Sequence, residues 1–536
     1  MTTQQSTSWT LQTTTAENAH WTVAGAPGSH SRLAGLHAVM GLRDRVEARR
    51  LESLTRLDAD SQSALGQFFT PDAAAQLIAS MLRLPREGNL RVLDPGAGTG
   101  SLSAALIARI IEEQPGLEVD LLAVEIDAEV AATLEETLVD CADVARQAGT
   151  LVRTRVVVGD YFDVGPQLGD GFDIVIMNPP YGKIGLKSEK RRLMFARGVD
   201  TPNLYAAFMS SGVSNLADGG QIVAITPRSF ANGSYFEQFR IHLLDRIALD
   251  RIHTFDSRST VFSDNGVLQE NIVVAGTKHG DRQHVLLSAS KGHEDALTSR
   301  RVSYDEVVHP DDEHRFVRVP SSLDDSETVQ RMLALPETLG MLGLTASTGR
   351  VVDFRSRDQL RAPSTPGGTF PMVYPVNIRG GAVDHPLDCG KPQFFSVIED
   401  RDAKLLVPGG HYVLVKRFSA KEERRRIVAA TWSPSANSPE PLAIDNKLNY
   451  VHRAGAGLDP DLAAGLALWL NSTFVDLYFR TFSGHTQVNA TDLRMMRFPP
   501  LDVLRQIGRD AGIGVPTQRE IDRSVEMVIQ STGVSS

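Results

Sequence analysis

The chain lacks several features that define specialised classes of protein. It has two cysteines in 536 residues, Cys141 and Cys389, which argues against a disulfide-rich secreted scaffold and against a cysteine-rich zinc site. No apolar run approaches the ~18 residues of a membrane-spanning helix. No lysine or arginine precedes Arg32, so the N-terminus does not match a signal peptide. These absences favour a cytoplasmic protein that has no membrane partner.

The chain is also short of positive charge. Lysine and arginine number 55 against 65 aspartate and glutamate residues, which gives a net charge of −10. A content of 42% hydrophobic and 22% charged residues is typical of a globular protein. The chain as a whole is therefore not a basic nucleic-acid coat, and any contact with DNA must come from local basic surfaces.

Hydrophobic periodicity divides the chain into parts of different character. Residues 1 to about 30 are polar and predict a tail, and helical spacing from Arg32 to about Asp58 predicts one or two amphipathic helices. Up to about Lys278, strands and helices alternate, which predicts a Rossmann-like α/β domain with a doubly wound, mostly parallel sheet. The predicted strands are Leu90–Leu93, Leu121–Ile126, Arg155–Val158, Ile174–Met177, Ile222–Thr226 and Ile272–Ala275, with helices at Ser101–Glu113 and Ala128–Val139.

The C-terminal part has no such alternation. The polar stretch from His279 to about Pro336 is interpreted as a connecting region. Beyond it, strand-like runs such as Met372–Tyr374 and Tyr412–Val415 mix with one strong helix from Asp461 to about Phe479. This mixture predicts a second domain of α+β type. The predicted boundaries are residues 1–60 for the tail and N-terminal helices, 61–310 for the α/β domain and 311–536 for the α+β domain.

A glycine-rich turn joins the first predicted strand to the first helix of the alternating part. Asp94 and Pro95 precede the sequence Gly96-Ala97-Gly98-Thr99-Gly100. Glycines allow a tight turn and a close approach of the backbone to a ligand, and such turns hold pyrophosphate in dinucleotide enzymes. An acidic residue at the end of the strand repels pyrophosphate but suits a cationic ligand. S-adenosylmethionine is such a ligand, although the turn alone leaves another nucleotide site open.

Acidic residues end the next two strands as well. Glu125 lies about one βαβ repeat later, where a carboxylate can hold both ribose hydroxyls. Asp160 ends the third strand, where it can accept a hydrogen bond from an adenine amino group while Tyr161 covers the ring. Three carboxylates at successive strand ends strengthen the prediction of a nucleoside-containing cofactor, S-adenosylmethionine.

The segment Phe69-Thr70-Pro71 precedes a helix that runs to about Leu82. Thr70 is predicted to be its N-cap and Pro71 its first helical residue. The simpler interpretation is that this segment only begins a helix. The functional interpretation is that this helix N-terminus receives the carboxylate of the cofactor's methionine moiety.

The fourth strand ends in Asn178-Pro179-Pro180-Tyr181. Polar groups at the C-terminal end of a parallel strand face the ligand crevice of an open α/β sheet. The side-chain oxygen of Asn178 and the carbonyl of Pro179 can accept both protons of an exocyclic amino group, which frees a conjugated lone pair for methylation. Tyr181 is predicted to stack on the base that carries this amino group.

Together these motifs resemble the gamma class of amino-methylating DNA methyltransferases. In chain order the motifs are Gln67-Phe68-Phe69-Thr70-Pro71, Asp94–Gly100, Glu125, Asp160 and Asn178–Tyr181. The resemblance is greatest to adenine-N6 modification enzymes of type II restriction–modification systems, of the PstI/BsuBI group. It implies S-adenosylmethionine as cofactor, double-stranded DNA as substrate, a separately encoded cognate endonuclease as partner, and no metal. It makes residues 61–310 the catalytic domain and residues 311–536 the DNA target-recognition domain.

The resemblance also extends to residues beyond these motifs. It implies that Phe262 forms a second aromatic face for the flipped base, although a core position is equally open from the sequence. It makes Ser347–Phe354 the start of the recognition domain and Ser483–Asn489 part of its end. A basic segment from Lys183 to Arg197, which includes Lys187, directly follows the catalytic motif and predicts contacts with DNA phosphates. A second basic segment, from Arg401 to Arg426, leads to the same prediction of phosphate contacts.

Several alternatives stay open at this point. The Asn-Pro-Pro-Tyr motif also serves enzymes that methylate protein glutamine or guanine N2 of ribosomal RNA, and cytosine-N4 methylation uses a similar exocyclic amine. A DNA-binding specificity subunit on a decayed fold is a further alternative. Asp388 with Asp402 and Lys404 can be arranged as a nuclease pattern, but such triples arise often by chance. Cytosine-C5 methylation is set aside because both cysteines follow an aspartate rather than a proline.

Overall fold

The structure is a computed structural model of the chain. It describes residues 22–23, 32–56, 69–185, 187–196, 199–255, 270–290, 298–320, 322–362, 368–419, 423–434, 440–483, 486–511 and 516–531. These residues form two compact units. The first unit lies within residues 1–227 and 238–301, and the second within residues 228–237 and 302–536.

A single large sheet forms the centre of the first unit. Its strands are β1 (Thr22–Val23), β2 (Asn89–Pro95), β3 (Glu118–Glu125), β4 (Leu151–Val158), β5 (Phe172–Met177), β6 (Leu216–Pro227), β7 (Ile247–Phe255), β8 (Asn271–Lys278), β9 (His284–Ser290) and β10 (Thr298–Ser303). Their order across the sheet is β1-β4-β3-β2-β5-β6-β8-β7-β9-β10. Strands β4, β3, β2, β5 and β6 are parallel, whereas β8 runs antiparallel to β6 and β7. The predicted mostly parallel, doubly wound sheet is confirmed. Strands β7, β9 and β10 were missed, as was β1, which lies in the predicted tail and pairs antiparallel with β4.

The register of the parallel strands places their carboxyl ends side by side. Pro95 of β2 pairs with Val124 of β3, and Glu125 of β3 pairs with Val158 of β4. Strand β5 pairs with β2 through Val92 and Ile174. In an open α/β sheet this edge is where ligands bind. The turns that follow β2, β3, β4 and β5 therefore share one crevice.

Helices connect and cover these strands. They are Arg32–Arg56, Asp72–Ser80, Ser101–Glu113, Ala128–Gln147, Tyr161–Val164, Glu189–Ala196, Leu204–Asn215 and Glu237–Arg246, with a 3-10 turn at Gly165–Gln167. The helix after β3 begins at Ala128 because the Asp127 carboxylate accepts hydrogen bonds from the N–H groups of Glu129 and Val130 at 2.8 and 3.2 Å. The apolar face of this helix and that of Ser101–Glu113 are buried in the core with the strands.

The N-terminal helix belongs to the same core. One continuous helix, Arg32–Arg56, occupies the region predicted to hold one or two. Its residues Val39 and Leu42 are fully buried. Arg43 pairs with Asp72 at 2.6 Å, which attaches the helix to the start of the next one.

The second unit is a mixture of sheets and helices, as predicted. Its strands are β11 (Glu337–Thr338), β12 (Thr345–Thr348), β13 (Leu360–Arg361), β14 (Thr369–Val373), β15 (Ile378–Arg379), β16 (Ala382–Val383), β17 (Phe394–Ser396), β18 (Leu406–Val407), β19 (Tyr412–Lys416), β20 (Ala429–Trp432), β21 (Leu442–Ile444), β22 (Leu448–His452) and β23 (Arg497–Phe498). They form sheets of order β12-β22-β19-β20-β16-β15, β13-β17-β14-β21-β18 and β11-β23. The α-helices are Tyr304–Val307, Leu323–Leu333, Pro460–Leu470, Thr473–Phe482, Ala490–Met495, Leu501–Asp510 and Gln518–Ser531. The 3-10 turns are Arg228–Ala231, Ser234–Phe236, Asp353–Arg355, Arg357–Gln359, Pro375–Asn377 and Asp402–Leu405.

Two sequence predictions for this part of the chain were wrong. The single helix from Asp461 to Phe479 is two helices bent by 59°. The break occurs because the Asn471 side chain exchanges hydrogen bonds with the backbone of Ala429, and the Ser472 hydroxyl caps the second helix by accepting from the Val475 N–H.

No single helix in the described part of the chain has the length and apolar composition to cross a membrane.

The polar stretch 279–336 is not a plain connection. It contains β9, β10 and the helices Tyr304–Val307 and Leu323–Leu333. Its charged residues are structural in part, because Asp312 and Arg318 form a buried ion pair at 2.9 Å. Asp402, one of the three residues of the alternative nuclease pattern, accepts the N–H groups of Ile398 and Glu399 and thereby fixes a turn.

Candidate functional site

The glycine turn after β2 adopts backbone conformations that L side chains rarely adopt. Gly96, Gly98 and Gly100 have φ angles of 72°, 55° and 89°. The N–H groups of Gly96 and Ala97 donate to the Val124 carbonyl at 2.8 and 3.0 Å, which ties the turn to β3. A Cβ added at Gly98 would lie 2.9 Å from the Phe69 ring. The turn therefore needs glycine both for its φ angles and for the close approach of Phe69.

Glu125 cross-links two of the turns at this edge. Its Oε2 accepts the Gly98 N–H at 2.9 Å, and its Oε1 accepts the N–H groups of Ile126 and Asp127 at 2.9 and 3.0 Å. Burial raises the pKa of Glu125, and these backbone donors oppose that rise. These hydrogen bonds fix the Glu125 side chain at the edge of the crevice, where it forms part of the lining of the pocket.

Asp160 at the end of β4 has two partners. Its Oδ1 accepts the Phe162 N–H at 3.0 Å, which starts the short helix Tyr161–Val164. Its Oδ2 pairs with the Lys190 ammonium at 2.6 Å, and that ammonium also lies 5.3 Å from the centre of the Phe162 ring. Tyr161 donates its hydroxyl proton to Asn215 at 2.6 Å. The pairing of Lys190 with Asp160 differs from the prediction that the whole basic segment contacts phosphates.

Asn178 at the end of β5 is oriented by Thr70. The Asn178 side-chain amide donates to the Thr70 hydroxyl oxygen at 3.1 Å. The prediction that Thr70 caps the following helix was wrong. The helix begins at Asp72, Pro71 occupies the cap position, and the Thr70 side chain makes no capping bond. The Asp72 N–H donates instead to Glu47 Oε2 at 3.2 Å, so one donor at this helix N-terminus already has a carboxylate partner.

Tyr181 is half-buried and packs against the core of the first unit. Its ring meets the Tyr205 ring edge to face, with centroids 6.3 Å apart, and its hydroxyl lies 3.4 Å from the Ile225 carbonyl oxygen. Burial raises the pKa of the Tyr181 phenol, so the phenol stays protonated at neutral pH.

Asp94 lies beneath the turn. It is fully buried, and its Oδ2 accepts the Ser103 hydroxyl proton at 2.6 Å. Burial raises the pKa of Asp94 to about 7. A carboxyl that is partly protonated at neutral pH is a weaker attractor for a cation than the sequence analysis assumed, and a nearby cation would lower this pKa again.

One pocket collects most of the predicted site residues. Its lining includes Phe69, Thr70, Gly96, Gly98, Glu125, Asp160, Tyr161, Asn178 and Pro180. Lys190, Leu204 and Phe208 also line this pocket. Leu204 and Phe208 belong to no motif that could have predicted them, and Lys190 was predicted only as part of a basic segment that contacts phosphates. Six other predicted site residues in the described part of the chain lie outside this lining, namely Pro71, Asp94, Pro179, Tyr181, Lys183 and Lys187. Among the described residues, no group of histidine, cysteine or acidic side chains could hold a metal ion.

The basic segment after the catalytic motif is only partly available to a ligand. Lys183 and Lys187 are exposed. Arg191 is occupied by an ion pair with Asp200 at 2.6 Å. Phe262 lies outside the described residues, as do Gln67, Phe68 and Arg197. The predicted base-stacking role of Phe262 therefore stays a prediction.

The strand order, the antiparallel β8 and this pocket define a Rossmann-like methyltransferase that carries an additional domain. A family model described as Eco57I restriction-modification methylase matches residues 132–262. The type II methyltransferase M.BsuBI of Bacillus subtilis is 37% identical over 484 residues, which cover 88% of this chain and 95% of that protein. The type II methyltransferase M.PstI of Providencia stuartii is 34% identical over 90% of this chain and 97% of that protein.

The chain belongs to the type II methyltransferases of restriction–modification systems, and it is accordingly a DNA methyltransferase. The resemblance identified from the motifs is confirmed. Among solved structures, the Type IIL restriction-modification enzyme MmeI in complex with DNA matches with a TM-score of 0.50 and 11% identity. That match covers 92% of this chain and 74% of that chain and shows likeness of the fold alone.

Proposed function

We propose that the protein transfers a methyl group from S-adenosylmethionine to N6 of an adenine that is flipped out of double-stranded DNA at a specific sequence. The observation that carries this proposal is the strand-end amide of Asn178, which is oriented by Thr70 and lines the same pocket as Glu125 and Asp160. The pocket thus combines carboxylates suited to a nucleoside with an amide suited to an exocyclic amino group.

The residues present fit S-adenosylmethionine. A Cβ at Gly96 or Gly98 would approach Phe208 or Phe69 within 3.3 or 2.9 Å, so the turn leaves space that only glycine preserves. Glu125 is the residue that would hold the ribose hydroxyls, and Asp160 would accept from the adenine amino group. Phe69, Thr70 and Pro71 would border the methionine moiety, with Asp94 and Tyr161 supporting the turn and the ring. When bound, the cofactor supplies an activated methyl group.

Asn178 and Pro179 act on the target base. The Asn178 side-chain oxygen and the Pro179 carbonyl each accept a hydrogen bond from one N–H of the adenine amino group. These bonds favour a tetrahedral nitrogen whose lone pair no longer conjugates with the ring. Positive charge develops on this nitrogen during transfer, and fixed oxygen acceptors stabilise it electrostatically. Thr70 contributes by holding the amide so that its oxygen, rather than its NH₂ group, is presented to the base.

The base reaches this site only after leaving the duplex, at a cost of a few kcal/mol. Tyr181, the residue that follows Pro180, provides an aromatic face for the extruded ring, with Phe262 as the second face. Lys183 and Lys187 are exposed on the segment that follows, and they are suited to bind the phosphates that flank the extruded nucleotide. Residues 61–310 are thus the catalytic domain in this proposal, and residues 311–536 recognise the target sequence.

The biological role proposed here is protection of host DNA in the cytoplasm against a separately encoded cognate endonuclease. The test is to express the protein in a host that lacks DNA methylation and to map modified bases by single-molecule sequencing. We expect N6-methyladenine at one short sequence motif. Modification of cytosine N4 would refute adenine specificity, and unmodified DNA from cells that contain folded protein would refute the proposal.

A further inference from the structure

The second unit carries a cationic surface centred on Asp353. Asp353 Oδ2 accepts from the Lys391 ammonium and from the Lys447 ammonium, each at 3.1 Å. Its Oδ1 accepts the Phe354 N–H at 2.8 Å, which fixes the carboxylate at the start of the turn Asp353–Arg355. Both lysines remain more than 40% exposed. Two ammonium groups are therefore held on one carboxylate oxygen at the surface of the unit.

Further cations and exposed aromatic rings adjoin this triad. The Arg417 N–H donates to the Lys447 carbonyl at 3.0 Å, and the Arg417 guanidinium lies over the exposed Phe418 ring. Arg355 lies over the Phe354 ring, which is 62% exposed. Four cationic side chains thus stand against one surface carboxylate in a chain whose net charge is −10.

A second acid, Asp445, lies close to this surface but is not part of it. Asp445 is fully buried, and its Oδ1 accepts the Lys447 backbone N–H at 2.7 Å. Burial raises the pKa of Asp445, whereas the Lys447 N–H and the two ammonium groups oppose that rise. Asp353 is the carboxylate that both ammonium groups contact at the surface.

This surface unites chain segments that are far apart in the sequence. Thr348, just before the turn, donates to the Asn449 side chain at 3.1 Å, and Asn449 donates to the Val488 carbonyl at 2.7 Å. Gln487 accepts from Arg417 at 3.3 Å. Segments at the predicted beginning and end of the recognition domain therefore meet at β22, beside the lysines. Such anchoring fixes the cations in position, as a binding surface requires.

We propose that Lys391 and Lys447, positioned by Asp353, form a clamp for the backbone phosphates of the DNA substrate. This proposal depends on the proposed function in one respect, which is that DNA is the substrate. A carboxylate shared by two ammonium groups leaves one net positive charge and unused N–H donors on both lysines, which suits them to charged oxygen atoms of a phosphate. Contacts of this kind set the position of a protein on the duplex and carry no sequence information.

The test measures binding to a short labelled duplex by fluorescence anisotropy, between roughly 50 and 200 mM salt. For the double variant K391M/K447M we expect weaker binding to every sequence. Its slope of log affinity against log salt should become shallower by about 2, since each lost phosphate contact removes about 0.9. The matched control is R519M/R523M, which removes two exposed cations from the helix Gln518–Ser531 of the second unit and should keep the wild-type slope.

Equal slopes in the two double variants would overturn the clamp, as would a changed recognition sequence in K391M/K447M. Asp353→Asn provides an independent measurement, since it retains both ammonium groups. We expect this variant to bind non-specific DNA at least as well as wild type while discriminating its target several-fold less. Unchanged discrimination would overturn the positioning role of Asp353. Binding is measured without cofactor, so a protein that failed to methylate adenine would contradict the proposed function and leave this comparison intact.

Discussion

Replacing Thr70 by valine removes one hydroxyl group and leaves the volume of the side chain almost unchanged. Thr70 is 4% exposed, and its hydroxyl oxygen accepts the hydrogen bond that orients the Asn178 amide. In the variant the amide loses this hydrogen bond, so its oxygen is held less firmly toward the target amino group. The chemical step should slow, while the fold should be retained.

The size of the effect follows from the single bond that is lost. A neutral hydrogen bond contributes about 0.5–1.5 kcal/mol net. If that energy is lost only from the transition state, the rate of methyl transfer falls by about 2- to 13-fold. This loss is smaller than the factor of about 10²–10³ expected when the acceptor itself is removed.

The assay is single-turnover transfer of a radiolabelled methyl group to an unmethylated duplex at saturating cofactor. Saturation separates the rate from cofactor binding, which matters because Thr70 also lines the cofactor pocket. Thr70→Ser keeps the hydroxyl and serves as the control, with a rate near that of wild type. The reasoning is refuted if Thr70→Val reacts as fast as wild type or faster, since the hydroxyl would then have no orienting role.

Three further predictions concern the cofactor edge. Glu125→Gln places a side-chain NH₂ group opposite backbone N–H donors. Cofactor affinity measured by calorimetry should therefore fall by about 10- to 100-fold, which is the cost of one charged hydrogen bond. Unchanged affinity would contradict the role of Glu125. Gly98→Ala should reduce the free energy of unfolding by about 1–3 kcal/mol, because its φ is 55° and its Cβ would lie 2.9 Å from Phe69. Gly116→Ala, where a Cβ meets no atom within 4 Å, is the control, and equal effects of the two would contradict the argument. Burial raises the pKa of Asp94 to about 7. The native carboxyl therefore holds its proton more tightly than the unfolded one, so this contribution to stability is fully present below about pH 4 and is lost as the pH rises toward 7. Asp94→Asn should remove this part of the pH dependence in denaturant titrations, and an unchanged pH profile would count against it.

Much of the catalytic fold was predictable because its strands are buried on both faces. Continuous apolar runs such as Ile174–Met177 have few alternatives, and glycine or acidic residues mark their ends. Strand β7 was missed because its sequence, Ile247–Phe255, includes Asp250, Arg251 and His253 and so breaks the apolar run. The break between the two helices near Asn471 was missed for a different reason. It depends on hydrogen bonds to Ala429, which is remote in the sequence.

The motifs predicted which residues meet at the pocket but not how their side chains pair. Threonine commonly caps helices, yet the Thr70 hydroxyl accepts a hydrogen bond from Asn178, which lies 108 positions further along the chain. Lysine commonly binds phosphate, yet Lys190 forms an ion pair with Asp160. In both cases a local rule was overridden by a partner that only the tertiary structure brings near.

Asn178→Ala tests the central claim most directly. Cofactor binding by calorimetry and single-turnover methyl transfer to the mapped target duplex are measured on the same preparation. The account predicts that the variant binds S-adenosylmethionine about as well as wild type, while the rate of transfer falls by at least about 10²-fold. Wild-type transfer by this variant would contradict the account, because the amide would then not be the group that prepares the adenine nitrogen for methylation.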